Sequence, residues 1–145
     1  MHKRISRHEV TVHALTSRLW RVVTSSEYTE QFFFDGQYIS EWQHGSPIFS
    51  AADTGESPGI QKGIVEDVVP GISIQFSLFE PGRFSTDPVL FTYELVPDQG
   101  GIMLILTAEA VFTSDQLHKL MDEQCRLMLQ KIKWLAEYVN PTEKN

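Results

Sequence analysis

Apolar side chains recur along this chain at two spacings, which predict several strands and one long helix. Residues 10–13 alternate between apolar and polar, which is typical of a strand with one buried face. Short helices are predicted over residues 16–23 and 26–34, each beginning near a hydroxyl that can cap it. The second ends at Asp35-Gly36. The N-terminal part is therefore expected to form one strand followed by two short helices.

Six further segments alternate in the same way and are separated by turn signals such as Pro70-Gly71. They are residues 38–42, 47–51, 62–69, 72–79, 89–96 and 102–110. Residues 53–59, rich in Gly, Ser, Thr and Pro, are predicted to form a flexible loop. Because strands joined by short turns pair with their neighbours, we expect an antiparallel meander of about seven strands.

Helical spacing runs from Thr113 to Asn140-Pro141, and Thr113-Ser114-Asp115-Gln116 fits a capping box. At ~1.5 Å per residue this helix spans nearly 40 Å. The acidic and basic residues Asp122, Glu123, Lys133 and Glu137 are expected to face water. The predicted buried stripe comprises Leu117, Leu120, Met121, Met128, Ile132, Leu135 and Val139. One face of the helix must then pack on the sheet.

Together these elements predict an α+β helix-grip fold, in which a curved antiparallel sheet wraps around the long C-terminal helix. The 145 residues match the usual size of one domain, so residues 1–145 are expected to form a single helix-grip domain. A sheet of this width covered by a single helix is hard to close completely. We therefore expect an apolar cavity between sheet and helix.

Charge and composition exclude several classes of function. The net charge of −7 repels polyphosphate, so nucleic acid is not an expected partner. The longest apolar run, residues 102–106, is far shorter than the ~20 residues of a membrane-spanning helix, so membrane insertion is not expected. A single cysteine and the lack of a signal-peptide pattern favour the cytoplasm.

Large aromatic and flexible side chains are the candidates for lining the cavity, because aromatic walls and adaptable methionines suit apolar ligands. Core packing explains the same residue types equally well. Gln124 joins the set because an amide on an apolar face needs a partner, and a ligand's polar end can provide it. The candidates are Phe34, Trp42, Phe49, Phe76, Phe91, Tyr93, Met121, Gln124 and Met128.

Catalytic chemistry has little support in the sequence. Four carboxylates lie on predicted strands, where most such groups face water: Glu66, Asp67, Glu94 and Glu109. The five histidines lack metal-site spacing, so neither a metal nor a cofactor is expected. Cys125 is expected to be an inert buried hydrophobe. The basic residues His2-Lys3-Arg4 and Arg7 are expected in a solvated N-terminus.

Several motifs resemble a known family in order and spacing. Residues 12–14 and 19–24 resemble the opening strand and first helix of the START, polyketide-cyclase and birch-pollen-allergen superfamily, in its branch named for activators of the heat-shock-protein ATPase. Residues 40–47 resemble that branch's acidic-Trp-x-x-Gly turn, residues 62–70 its Gly-x-Val-x-Glu strand, and Leu129, Lys133 and Leu135 the end of its last helix. The resemblance implies a helix-grip domain with a cavity.

Three hypotheses about function follow. The favoured one is binding of a small hydrophobic or amphipathic molecule in the cavity. The resemblance also implies a protein-interaction module with a chaperone partner. A cyclase- or hydrolase-type enzyme using the same cavity is the third, although it requires a buried ionisable pair and an enzyme is not favoured. A homodimer is predicted through the open edge of the sheet.

Overall fold

The sheet is antiparallel, and the computed structural model describes residues 3–25, 28, 38–50, 61–79 and 88–138. Within these residues the strands number seven: β1 (Lys3–Val12), β2 (Tyr38–Ile39), β3 (Pro47–Ser50), β4 (Gln61–Val69), β5 (Ser73–Leu78), β6 (Val89–Asp98) and β7 (Gly101–Val111). Their order in the sheet is β1-β7-β6-β5-β4-β3-β2. The six later strands follow one another as a meander and β1 joins β7, so the predicted α+β, helix-grip class is confirmed.

The described helices are α1 (Thr16–Thr24) and α2 (Asp115–Tyr138). α2 begins as expected at a hydroxyl cap, because Ser114 Oγ accepts a hydrogen bond from the Leu117 amide at 3.1 Å. α1 differs from the prediction, since Leu15 precedes it and no side chain caps it. The predicted second short helix, the loop 53–59 and residues 139–145 lie outside the described residues, apart from the buried, helical Tyr28.

Strand β1 starts seven residues earlier than the alternation of 10–13 predicted. Its pairing with β7 runs continuously from Lys3 opposite Val111 to Val12 opposite Ile102. Of the basic residues expected in a solvated N-terminus, Lys3, Arg4 and Arg7 are therefore part of the sheet and have exposed side chains, and His2 lies outside the described residues. Ser6 and His8 share the inner face with the predicted Val12, because side chains two apart along a strand point the same way.

Helix α2 lies along β1 and runs in the same direction. Arg4 pairs with Asp115 at 2.5 Å near the start of α2, and His8 Nε2 lies 3.0 Å from Asp122 Oδ1 further along. Near the end, the His13 amide donates to Glu137 Oε2 at 2.7 Å. The helix thus covers the inner face of β1 and β7 along its whole length.

The C-terminal turns of α2 are fastened to α1 and to the end of β1. The Arg18 guanidinium donates to the backbone carbonyls of Leu135 and Ala136 at 2.9 Å and 2.5 Å. The backbone carbonyls in the last turn of a helix have no hydrogen-bond partner within that helix. Arg18 provides one and places a positive charge at the negative end of the helix dipole.

Glu137, expected in water, has a side chain only 7% exposed. That expectation was wrong, because Glu137 is held by the His13 amide.

The buried stripe of α2 differs from the predicted one at its outer edge. Met121, Met128, Ile132 and Leu135 are buried as predicted, whereas Leu120 is 46% exposed and Leu117 half-buried. Cys125, Leu129 and Ala136 complete the buried stripe instead. Because the sheet contacts one narrow side of the helix, side chains at Leu120 and Leu127 point away from it. No helix in the described part of the chain is long and apolar enough to cross a membrane.

Candidate functional site

The inner face of the sheet is built from rows of side chains that the strand register places side by side. Two rows lie below the first half of α2. One comprises Ser6, Ala108, Phe91, Phe76 and Val65, and the next comprises His8, Leu106, Tyr93 and Ile74. Ser6 and Ala108 have small side chains, and Phe91 beside them has a large ring. The side chains directly beneath the helix are therefore short, and those further along the row are long.

Aromatic side chains from three elements meet on this face. Phe76 is at the centre: its ring stacks on Phe91 with centroids 5.4 Å apart and lies 6.0 Å from the ring of Tyr93. Trp42 meets Phe76 edge-on at 5.5 Å. All four side chains are buried. The structure thus brings together four of the predicted candidates, from β5, β6 and the β2–β3 connection.

Trp42 reaches this cluster through an unusual backbone conformation. Its φ of 52° lies in the left-handed region, which costs a non-glycine residue roughly 1–2 kcal/mol. The Ser40 hydroxyl accepts a hydrogen bond from the Trp42 amide at 3.0 Å and stabilises the turn. β2 therefore ends at Ile39, earlier than predicted, because the chain turns at Ser40 to direct Trp42 inward.

Helix α2 contributes Met121, Cys125 and Met128 from above the sheet, each at most 2% exposed. Gln124 is half-buried and lies next to this buried stripe rather than within it. Two other candidates are placed differently. Phe34 lies outside the described residues. Phe49 is half-buried on the opposite face of β3 from the buried Ile48, where it lines a surface groove of about 360 Å³ with Ile39.

Three polar atoms in this interior are buried without a hydrogen-bond partner among the described residues: Ser6 Oγ, Tyr93 OH and His118 Nε2. His118 packs its ring 5.0 Å from Phe112 at the start of α2. Burying a polar atom without a partner costs roughly 1–3 kcal/mol, so proteins rarely leave such atoms unpaired. Two of these atoms belong to strands and one to α2, and no described residue forms a hydrogen bond with any of them.

These atoms occupy one stretch of the sheet–helix interface. Arg4 faces Asp115 and His8 faces Asp122, so Ser6 and His118 lie at the height between these two contacts. Tyr93 belongs to the same row as His8. The unpaired atoms are therefore distributed over about two turns of α2, next to the aromatic cluster.

The electrostatics of the interior favour neutral groups. Burial, and to a smaller extent Cys125, raises the pKa of Tyr93 far above its usual range. Burial and the neighbouring Asp122 raise the pKa of Cys125 to about 12. At neutral pH Tyr93 is a hydroxyl that donates or accepts a hydrogen bond, and Cys125 is a thiol. Cys125 is buried, as predicted. Since the thiolate is the nucleophilic form, its raised pKa disfavours reactivity.

Ser6, His8 and His118 are interior residues that the sequence patterns did not predict. Extending the alternation of 10–13 back to Lys3 would have placed Ser6 and His8 on the inner face. His118 lies three and seven positions before Met121 and Cys125, which puts it on the same helical stripe. The partnership of His8 with Asp122 joins residues 114 apart in sequence, so no local pattern reveals it.

The strand carboxylates considered for catalysis lie on the outer face or the surface. Glu66, Asp67 and Glu94 are exposed, and the half-buried Glu109 pairs with Lys3 at 3.6 Å. The His8–Asp122 pair is at the rim, with Asp122's side chain 49% exposed. In the described part of the chain, no group of three or more His, Cys, Asp or Glu side chains is arranged to hold a metal.

A family model described as "Activator of Hsp90 ATPase homolog 1-like protein" matches residues 13–137, most of the chain. The chain belongs to this family. A comparison with proteins of curated function finds no significant match. The family assignment confirms the resemblance drawn from the motifs. The matched region extends from before α1 to Glu137 of α2, so it includes the aromatic cluster and the inner face of α2.

Solved structures agree with the Hsp90-ATPase-activator-like assignment at the level of the fold. Protein MLL2253 from Mesorhizobium loti superposes with a TM-score of 0.75 at 15% identity, covering 95% of this chain and 100% of that one. The Aha1 dimer from Colwellia psychrerythraea gives 0.73 at 11% identity, covering 95% and 99%. An uncharacterised protein from Rhizobium leguminosarum gives 0.68 at 19% identity, covering 93% and 95%.

Proposed function

We propose that this protein binds a small amphipathic molecule between the inner face of the sheet and helix α2. The ligand's apolar body would pack against Phe76, Phe91 and Trp42, and its polar end would reach Tyr93 and the neighbouring unpaired groups. The observation that carries the proposal is the set of three buried polar atoms without a partner: Ser6 Oγ, Tyr93 OH and His118 Nε2.

A bound polar group would remove the cost of these unpaired atoms. Where no other group meets these atoms, each costs the free protein roughly 1–3 kcal/mol, and a ligand oxygen placed among them would recover part of it on binding. Hydroxyl and imidazole groups accept as well as donate, so an alcohol, phenol or carbonyl suits them. The polar end is proposed to be uncharged for two reasons. Tyr93 is neutral, and the guanidinium of Arg4, two positions before Ser6 on β1, is already paired with Asp115.

The chemistry of the walls favours an aromatic ligand body. Aromatic pairs prefer stacked or edge-on contacts, and the cluster around Phe76 already shows both arrangements. Met121 and Met128 above it have flexible, polarisable side chains that adapt to a guest. A planar aromatic compound with one hydroxyl is the simplest molecule with both features.

Titration calorimetry with a matched pair of probes tests this proposal. 2-Naphthol and 2-methylnaphthalene have the same ring system and differ only in the polar group. We expect both to bind and 2-naphthol to bind the wild-type protein roughly 10-fold more tightly. Tyr93→Phe should abolish most of this difference, while Tyr138→Phe, at a tyrosine that is 71% exposed, should leave it unchanged.

Failure to bind either probe, together with no ligand retained by the protein from its own host, would overturn the proposal. Equal affinity of both probes for the wild-type protein would overturn the role of the unpaired polar atoms. The carboxylates on the outer face give an acid–base enzyme no support, and the chaperone hypothesis has its support in the family description alone.

A further inference from the structure

The outer side of α2 carries apolar side chains that no described element covers. Leu120 is 46% exposed, Leu127 43%, Trp134 47% and Tyr138 71%. The first three recur every seven residues, so they form one line along the helix. This outer seam, from Leu120 to Tyr138, extends for about 27 Å at ~1.5 Å per residue. Exposed apolar groups arranged in such a line are typical of a surface that contacts another helix.

We propose that a second copy of this chain covers the outer seam, with the two α2 helices antiparallel about a two-fold axis at Leu127. Antiparallel pairing places residues equally distant from Leu127 opposite each other. Leu120 and Trp134 are each seven positions from Leu127, so the small end of one seam faces the large end of the other. The axis brings the two Leu127 side chains together at the centre.

The surface beside Leu120 has the shape this arrangement needs. A shallow groove of about 500 Å³ lies there, lined by Gln116, Leu117, Lys119, Leu120 and Glu123. In the antiparallel pair Trp134 of the second copy lies opposite this groove and fills it. A two-fold interface requires such self-complementarity, because the same patch meets itself.

Charge complementarity selects the same register. Glu123 and Lys131 are each four positions from Leu127, so two Glu123–Lys131 contacts form across the axis, where Lys131 of the second copy adds to the exposed pair that Glu123 makes with Arg126 of its own helix. In a parallel pair each of these residues would instead meet its own copy, and like charges would repel. Lys131 already lies over the ring of Trp134, 4.8 Å from its centroid, so cation and aromatic group are presented together.

The open edge of the sheet, which the sequence favoured for dimer formation, is the weaker candidate. In the described sheet β1 forms one edge and carries the exposed charged residues Lys3, Arg4, Arg7 and Glu9, and β2 forms the other edge with only two residues, Tyr38–Ile39. Charged side chains on an edge strand oppose pairing with another strand. The outer seam has no such protection along its centre.

Sedimentation velocity and cysteine crosslinking test the dimer. At roughly 100 µM we expect twice the chain mass of 16.6 kDa. Leu127→Glu should weaken association at least 10-fold. Its circular dichroism, and its melting at a concentration low enough for the wild type to be monomeric, should stay those of the wild type, since the side chain is exposed. The control Ile5→Lys, at a residue 57% exposed on β1, should remain dimeric.

Crosslinking then distinguishes the two helix directions. Leu127→Cys should form a disulfide with its own copy, whereas Leu120→Cys should do so only when mixed with Trp134→Cys. Cys125 is buried and does not compete. A wild-type protein that stays monomeric, a dimer unaffected by Leu127→Glu, or self-crosslinking at both Leu120→Cys and Leu127→Cys would each overturn the proposal.

Discussion

Lys133 Nζ donates a hydrogen bond to Glu137 Oε2 at 2.7 Å, one turn further along α2. The same oxygen accepts from the His13 amide at 2.7 Å, and Lys133 also donates to the Thr11 carbonyl at 2.6 Å. Two residues of the helix thus hold the end of β1 by its backbone. Burial acts to raise the pKa of Glu137, but the hydrogen bonds from His13 and Lys133 outweigh it and the pKa is lowered.

Glu137→Gln should destabilise the fold by about 1–2 kcal/mol at neutral pH, because it removes the charged acceptor of these bonds. A lowered pKa means that the carboxylate's contribution is complete above the unfolded pKa of about 4.3 and is lost as pH falls through the folded value. The difference between wild type and variant should therefore shrink in acid. Urea unfolding between about pH 7 and pH 3 measures it.

The exposed Glu94→Gln is the matched control and should change stability little at any pH. A Glu137→Gln variant as stable as the wild type at neutral pH would contradict the role given to this contact.

Arg18 is expected to stabilise the C-terminal end of α2, as Glu137 does. Arg18→Met removes the donors to the Leu135 and Ala136 carbonyls and should lower the free energy of unfolding by about 1.5–3 kcal/mol. Arg126→Met removes an exposed pair with Glu123 at 2.5 Å and should change the free energy of unfolding much less than Arg18→Met, because solvent screens exposed ion pairs. Equal effects of the two substitutions in urea unfolding would show that Arg18 does not act as a cap.

Gly63 is required by the close approach of β4 to β5. A Cβ atom at this position would lie 2.0 Å from the Ser77 carbonyl oxygen, a backbone atom that cannot move without breaking the strand pairing. Gly63→Ala should therefore cost more than about 3 kcal/mol and lower the yield of folded protein.

Gly100→Ala is the comparison, because that glycine has a φ of 71° but nothing within 4 Å of the added atom. Its cost should be only the roughly 1–2 kcal/mol of a left-handed alanine. Thermal melting of both variants checks the order, and a milder effect at Gly63 than at Gly100 would be inconsistent with the sheet geometry.

Tyr93→Phe should stabilise the ligand-free protein by about 1–3 kcal/mol, because it removes a buried hydroxyl that has no partner among the described residues. The same change should weaken ligand binding. A gain in stability with a loss of affinity is typical of a group kept for function. Destabilisation of the ligand-free protein, measured in urea, would indicate that the hydroxyl already has a partner.

Much of the architecture followed from local patterns. Alternation along β5, β6 and β7 and the helical spacing of α2 depend on which side of one element is buried, so a single sequence reveals them. The start of β1 was missed because the inner-face residues Ser6 and His8 are polar, so the alternation of apolar and polar side chains is not visible before Val10. The exposure of Leu120 was missed because it depends on how narrowly the sheet contacts α2.

The candidate site was predictable only in part. Phe76, Phe91 and Tyr93 lie together because large aromatic side chains on inner strand positions converge, and Trp42 joins them from the β2–β3 connection. That these side chains line a ligand cavity stays a prediction. Ser6 and His118 were not foreseen, since a buried polar residue looks like a surface residue until its neighbours are known. Phe49 illustrates the reverse, because one position of register decides which face of β3 it occupies.

Native mass spectrometry of the protein purified from its own host tests the central claim most directly. We predict a small molecule at one per chain that is lost on denaturation, contains an apolar or aromatic body with a hydroxyl or carbonyl group, and is retained less by Tyr93→Phe than by Tyr138→Phe. An empty wild-type protein, or a ligand held equally well by both variants, would contradict the account.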